Sequence, residues 1–462
     1  MTKRVLLSIL TILVVICLCL SLVAIPGVIL VASRGLPGIG NPTATPLPLI
    51  TPFPTDPSSG SLPEIISRQM DQIQVQVIQI RGLAQLKALK RDMLTPDQLR
   101  KRVTDEFFKD YTPDKANQDA RLMSALGLLA PGFDLHQLYL DLYSEQIAGY
   151  YDSETKEMFV IQGGSFGGPE RMTYAHEFTH ALQDQHYDLR EGLKIKDDYC
   201  QTHSEYCAGV QALIEGDATL SEQDWLSTYA TAEDRQQIQA FYSTYRSPVY
   251  DSAPAFMKDD FLFPYRQGLE FVQSLFDQGG WPAIDAAFTN PPVSTEQILH
   301  SELYPQDRPM EVTLPDLAGA LGAGWKELER NTLGEWYTYL VLSRGRDSKF
   351  QISTSQASKA AAGWGGDTYA VLSGPEQGMA LIERWKWDTA GDAEEFWQAL
   401  QDYGSKRWGD PTARTQNRLG WQGTADGVVA LVQRAQETLW VITPDAGTMQ
   451  KVLATLPDFQ EQ

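Results

Sequence analysis

The sequence predicts an α+β protein: a largely helical region with one small β-hairpin and sheet, then a C-terminal α+β domain, both behind an N-terminal transmembrane helix. Three observations carry that expectation. Apolar residues recur at spacings near 3.6 through most of residues 62–304, as in Ile65, Ile66, Met70, Ile73, Val77, Ile78, Ile80 and Leu83. One segment, GYYDSETKEMFVIQ, instead alternates apolar and aromatic residues around a polar turn, which predicts a hairpin. After Pro305, Pro309 and Pro315 the pattern changes again, to short strand-like runs separated by helical ones.

Residues 5–32 carry no charge and are long enough to cross a hydrocarbon layer about 30 Å thick. Lys3 and Arg4 precede them, so the positive-inside rule leaves the N-terminus in the cytoplasm and everything beyond Arg34 outside. The competing reading is a cleaved signal peptide, whose apolar core is normally about 7–15 residues and is followed by a small-residue site not seen here. The expectation is an uncleaved anchor over 1–34 and an extracytoplasmic remainder. Residues 35–62 are dense in Pro, Thr and Ser and read as an extended, semi-rigid tether.

Two folded domains are expected, over 63–315 and 320–462. In the first, Thr95, Pro96 and Asp97 mark a helix start, and DLHQLYLDLYSEQIAG reads as a further helix. After the hairpin, GGPERMTYAHEFTHALQDQHYDL has Pro169 and Glu170 in a first turn and helical spacing beyond them. SEYCAGVQALIEGDATLSEQDWL, FPYRQGLEFVQSLF and STEQILHSELY continue the helical stretch. In the second, TYAVLSG, GMALIERWKWD, GVVALVQRAQ and TLWVITP read as strands of an antiparallel sheet. DAEEFWQALQDYGSKRW and AGTMQKVLATL read as helices on one face of that sheet. GWGGD, Gly363–Asp367, lacks the Lys and Ser or Thr of a phosphate-binding loop and reads as a tight turn.

A hydrophobic share of 43% with 21% charged residues describes a folded protein. The net charge of −21 excludes nucleic acid as a partner, because that binding depends on clustered Lys and Arg. It equally disfavours adhesion to an anionic bilayer surface, so the apolar helix is the membrane contact expected. Cys17 and Cys19 lie inside the apolar run. Cys200 and Cys207 lie beyond it, on the oxidising side with nothing else to pair with, and a disulfide between them is expected.

HEFTH places His176 and His180 four residues apart, which on a helix stacks both imidazoles on one face within reach of a single metal ion. Glu177 lies beside them, where a general base toward a metal-activated water belongs. Catalytic zinc takes a third protein ligand, and two residues can supply it. One is Glu215 in IEGDA. The other is His186, at the spacing metzincins use; that pattern needs Gly at the eighth position, where this chain has Gln183.

HEFTHALQDQHYDL followed by IEGDATL resembles the gluzincin group of zinc metallopeptidases, and most closely a bacterial set of extracytoplasmic predicted peptidases with HExxHALQDQ and EGDA segments. The resemblance extends to GYYDSETKEMFVI, STEQILH and AAAGWGGD. It implies a zincin-like catalytic domain holding one Zn2+ per chain, with His176, His180 and Glu215 as ligands and Glu177 as base. Gluzincins commonly carry Asp four residues after the ligand Glu; here that position is Thr219. Asp217 and Asp184 read first as helix-surface carboxylates, with orientation of a ligand imidazole as the alternative role for either.

A peptidase also needs a donor to its tetrahedral oxyanion, and His300 is the expected catalytic partner, with Tyr265, Arg266 and Tyr187 as further candidates. The strand Glu157–Gln162 could pair with an extended substrate or be simply a core strand. The partner expected is a protein or peptide substrate. The competing class is a zinc-containing sensor or binding protein without turnover, for which an acid at position 177 has no use.

Overall fold

The computed structural model describes residues 62–102, 104–105, 108, 111–146, 149–161 and 166–460. The expected anchor and the tether up to residue 61 lie outside them. Among the described residues no helix is long and apolar enough to cross a membrane.

Helix α1 (Glu64–Arg81) buries Met70, Ile73, Val77 and Ile78, as their spacing predicts, and ends where Gly82 turns left-handed at φ +76°. The next element, strand β1 (Lys90–Leu94), falls in a stretch that periodicity assigned to helix. Three of its five residues, Lys90, Arg91 and Asp92, are charged, so no apolar alternation marks it. What makes it a strand is a distant partner. It pairs in parallel with β3 (Glu157–Ile161), from Lys90 opposite Glu157 to Leu94 opposite Ile161.

Thr95 caps helix α2 (Pro96–Arg102) as expected: Gln98 N–H donates to Thr95 Oγ1 at 3.2 Å and Thr95 N–H to Gln98 Oε1 at 2.8 Å. Helices α3 (Pro113–Ala125) and α4 (Leu135–Gln146) follow. Strand β2 (Gly149–Asp152) forms the expected hairpin with β3. The sheet order is β1-β3-β2, with β3 in the centre.

Helix α5 (Gly168–Tyr187) carries the HEFTH segment. Helices α6 (Ser204–Thr228) and α7 (Ala232–Thr244) pack directly against it, and α8 (Ala255–Gly279), α9 (Trp281–Thr289) and α10 (Thr295–Leu299) pack on α6. The Cys200–Cys207 disulfide is present and ties the preceding loop to the first turn of α6. Helices α6 and α8 meet backbone to backbone. A Cβ on Gly216 would lie 2.2 Å from Gly268 O, and one on Gly268 2.2 Å from Ala212 O. Only glycine fits that approach.

After a short helix α11 (Leu317–Leu321) comes an antiparallel sheet of seven strands in the order β4-β5-β6-β10-β9-β8-β7. The strands are β4 (Lys326–Asn331), β5 (Trp364–Ser373), β6 (Met379–Trp387), β7 (Ala413–Arg414), β8 (Arg418–Thr424), β9 (Gly427–Arg434) and β10 (Glu437–Thr443). Helix α12 (Gly334–Ser343) stands between β4 and β5, α13 (Ala390–Trp408) between β6 and β7, and α14 (Ala446–Ala454) after β10.

Two expectations are corrected here. Helices cover both faces of the sheet, not one. Tyr369, Trp385 and Trp440 face the core that contains Phe396 and Tyr403 of α13, while Ala370, Leu372, Ile382 and Val441 face α11 and α14 through Leu317, Leu321, Val452 and Leu453. The central strands are apolar on both faces, so each face needs its own cover. The second correction is GWGGD. Trp364–Asp367 opens β5, with an irregular register opposite Trp387 and Lys386, and Asp367 is buried and accepts the N–H groups of Leu333 and Gly334.

Prolines 305, 309 and 315 mark a change of element type without breaking the core. One buried cluster runs from Leu94 and Tyr143 through Leu213 and Phe271 to Trp336, Trp385 and Trp440. Arg407 Nη2 donates to Ala125 O at 2.7 Å and Trp336 Nε1 to Asp260 Oδ1 at 2.9 Å, joining the two regions by hydrogen bonds as well.

Candidate metal centre

Helix α5 begins against α7, where a Cβ on Gly168 would lie 2.3 Å from Asp234 O and Glu170 Oε2 accepts Gly167 N–H at 2.9 Å. From that anchored start the helix runs regularly through the motif. His176 and His180 lie one turn apart with ring centroids 4.8 Å from each other. From α6, Glu215 reaches across: its Oε2 is 3.2 Å from His176 Nε2 and 3.4 Å from His180 Nε2. His176, Glu177, His180 and Glu215 are each at most 1% exposed.

The three ligand atoms lie within 4.8 Å of one another, and this buried triad could hold a metal ion. A tetrahedral site with bonds of about 2.0–2.1 Å needs ligand atoms roughly 3.3 Å apart, which matches the two measured separations. Two imidazoles and one carboxylate also leave a fourth position for water.

The ring nitrogens can be assigned by their other partners. His176 Nδ1 lies 3.0 Å from Glu222 Oε2, so it carries the proton and leaves Nε2 toward Glu215. Gln183 Nε2 donates to Asp217 Oδ2 at 2.7 Å and to Ile214 O at 3.0 Å. Both amide hydrogens are thereby used, and Gln183 Oε1 faces His180 Nδ1 at 2.8 Å. His180 therefore also carries its proton on Nδ1 and presents Nε2.

Burial pushes the His176 imidazole down, but its hydrogen bonds to Glu215 and Glu222 outweigh it and raise it to about 10. His180 is likewise raised, by the Glu215 charge against the same desolvation. Burial pushes Glu215 upward, yet the His180 charge and the two imidazole hydrogen bonds hold it below the usual carboxylate range. The Nδ1 assignments are those of the ligating form; the raised imidazoles also favour a proton on the Nε2 side that faces Glu215, and a metal cation must displace it.

Glu177 Oε2 accepts the backbone N–H of Tyr151, on β2, at 2.8 Å. The hairpin thus holds the acid directly. The β3 edge proposed for substrate pairing is not open, because β3 is paired on one side by β1 and on the other by β2. It is β2 whose outer side faces the motif helix.

His186 is outside the triad. Its Nε2 lies 2.7 Å from Ala84 O, and α5 continues past Gln183 without the break that would turn position 186 back. Ten residues at about 100° each place it on a different face from His176. His300 hydrogen-bonds Glu335 Oε1 through Nε2 at 2.9 Å and lies 4.0 Å from Glu302, so its polar contacts go there and not to the triad. Tyr187 OH donates to Asp285 at 2.8 Å. Of the further donors considered, Tyr265 comes to the triad, its ring centroid 6.3 Å from that of His176.

Asp184 binds Tyr151 OH and Lys156, and Asp217 acts on His180 through Gln183. Glu222 was missed from sequence. Its signal was the seven-residue step from Glu215, two helical turns along one face. The role of Tyr151 had no local signal at all.

Residues 323–453, from just before β4 into α14, match the model of a domain of unknown function (DUF8575). No curated protein and no solved structure matches the chain.

Proposed function

We propose that this chain is a membrane-anchored, extracytoplasmic zinc metallopeptidase that hydrolyses peptide bonds in protein or peptide substrates. The observation that carries the reading is one buried cluster in which two imidazoles present Nε2 to an ionised Glu215 beside a separately held Glu177. The set resembles a gluzincin site, and the β1-β3-β2 sheet with α5 and α6 would be its zincin-like core. The Cys200–Cys207 disulfide supports an oxidising compartment.

His176, His180 and Glu215 would hold a zinc ion, which would supply Lewis acidity toward a water and the scissile carbonyl. Glu177 takes the proton of the attacking water and returns it to the leaving amine. The Tyr151 N–H fixes the rotamer of that carboxylate. Glu222 and Gln183 hold the two imidazoles in one tautomer. We assign oxyanion donation to Tyr265, whose ring lies beside that of His176, in place of His300, whose polar contacts lie away from the triad.

The test compares cleavage of an unfolded protein by the full chain in detergent with that by Glu177→Gln and Tyr265→Phe, each carrying one zinc. Glu177→Gln should lose on the order of 10²–10⁴-fold in kcat. Tyr265→Phe should lose about 10²-fold in kcat with KM little changed. Cleavage unaffected by Glu177→Gln removes it as the base. A zinc-loaded wild type that cleaves nothing favours the sensor reading, and an unchanged Tyr265→Phe removes that assignment alone.

A further inference from the structure

Helix α1, the first element among the described residues, crosses both helices of the candidate metal centre through polar side chains. Gln74 Nε2 donates to Tyr174 OH on α5 at 2.8 Å. Trp225 Nε1 on α6 donates to Gln76, and Tyr229 OH just beyond α6 donates to Gln79, each at 2.8 Å. The last residue of α1 goes deepest. Arg81 is fully buried, with Nε 2.7 Å from Asp217 Oδ1, Nη2 2.7 Å from Asp285 Oδ1, and the guanidinium 4.8 Å from the Trp281 ring.

Asp217 passes that anchoring on. Its second oxygen receives Gln183 Nε2, whose other hydrogen goes to Ile214 O, and this leaves Oε1 as the only atom the amide can offer His180 Nδ1. Arg81 holds the carboxylate, the carboxylate holds the amide, and the amide selects the tautomer. If the Asp217 rotamer is released, the amide can flip. A flipped Gln183 presents N–H to Nδ1, favours the proton on Nε2, and blocks the nitrogen that faces Glu215.

We propose that Arg81, Asp217 and Gln183 form a positioning relay through which the docked α1 sets the tautomer and aim of His180, so that metal affinity depends on a helix that supplies no ligand. The proposal rests on the metal reading of the triad. Arg81 touches neither metal nor substrate; it acts through two other side chains.

The experiment measures the zinc dissociation constant by chelator competition, and the visible spectrum after Co2+ replacement, on the full chain in detergent. The variants are Arg81→Met, Gln183→Leu, their combination, and Gln79→Ala. Arg81→Met and Gln183→Leu should each weaken zinc binding about 10- to 100-fold and alter the cobalt bands. The double variant should lose no more than the larger single loss, because both cut one chain. Gln79→Ala removes another α1 hydrogen bond outside the relay and should leave affinity and spectrum unchanged.

A folded Arg81→Met with wild-type affinity and spectrum overturns the relay. So does an equal loss in Gln79→Ala, which would make general docking of α1 the cause. If Arg81→Met does not fold, Gln183→Leu decides, and wild-type affinity there overturns the proposal. A wild type that takes up neither zinc nor cobalt overturns the metal reading itself, and the relay with it.

Discussion

His176 is oriented by a carboxylate and His180 by an amide, so the two imidazoles of one motif depend on different chemistry. The His pair was readable because four residues are one helical turn, a purely local relation. The third ligand was not settled by spacing, since Glu215 and His186 both lie within range in sequence. What separates them is that α5 does not break at Gln183, which instead spends its amide on Asp217, Ile214 and His180. Glu215→Ala should therefore drop zinc content in purified protein well below one per chain, while His186→Ala keeps it near one. Metal analysis showing the reverse order would return this chain to the metzincin spacing.

At the scale of elements, the hairpin and the long helices follow from periodicity, and the exceptions have a common cause. Strand β1 is charged and short, and only its pairing with β3 makes it a strand. The second helical cover of the large sheet was equally unmarked, because an apolar run such as TYAVLS does not say which of its faces is covered. The α6–α8 crossing sets where Glu215 stands, since Gly216 follows it directly and contacts Gly268 O. Gly216→Ala should cost about 1–3 kcal/mol, because the new Cβ meets backbone that cannot rotate away. A urea midpoint equal to wild type would show that the helices part freely there.

Across the whole molecule, the helical region and the seven-stranded sheet meet at the start of α12. There Trp336 N–H donates to Thr295 Oγ1 at 3.2 Å and a Cβ on Gly334 would lie 1.9 Å from Glu205 Oε1, and each side brings a buried acid to that seam. Asp367 accepts Leu333 and Gly334 N–H at 2.8 Å each, and Glu205 accepts Thr295 N–H and Oγ1–H at 2.8 Å each. Burial raises Glu205 to about 8, with the Thr295 donors offsetting part of the effect. A carboxyl group raised in the folded state stabilises fully below its unfolded value near 4.5, and the contribution is lost as pH rises through about 8. Between about pH 6 and 8.5 this group should cost the wild type about 2–3 kcal/mol that Glu205→Gln does not lose. Urea midpoints at the two pH values check it, and parallel loss in both proteins would show that Glu205 does not titrate there.

The sequence by itself determined the helical character of the first region, the hairpin, the disulfide pair and the histidine face, all of which rest on contacts within a few turns or on a single possible partner. Tertiary structure decided the rest: which acid meets the histidines, which side chains face their Nδ1 atoms, and that Arg81 bonds Asp217, 136 residues further along the chain. Those choices depend on how α1, α5, α6 and α8 cross, and a crossing is set by packing summed over whole helices, which no short window of residues contains.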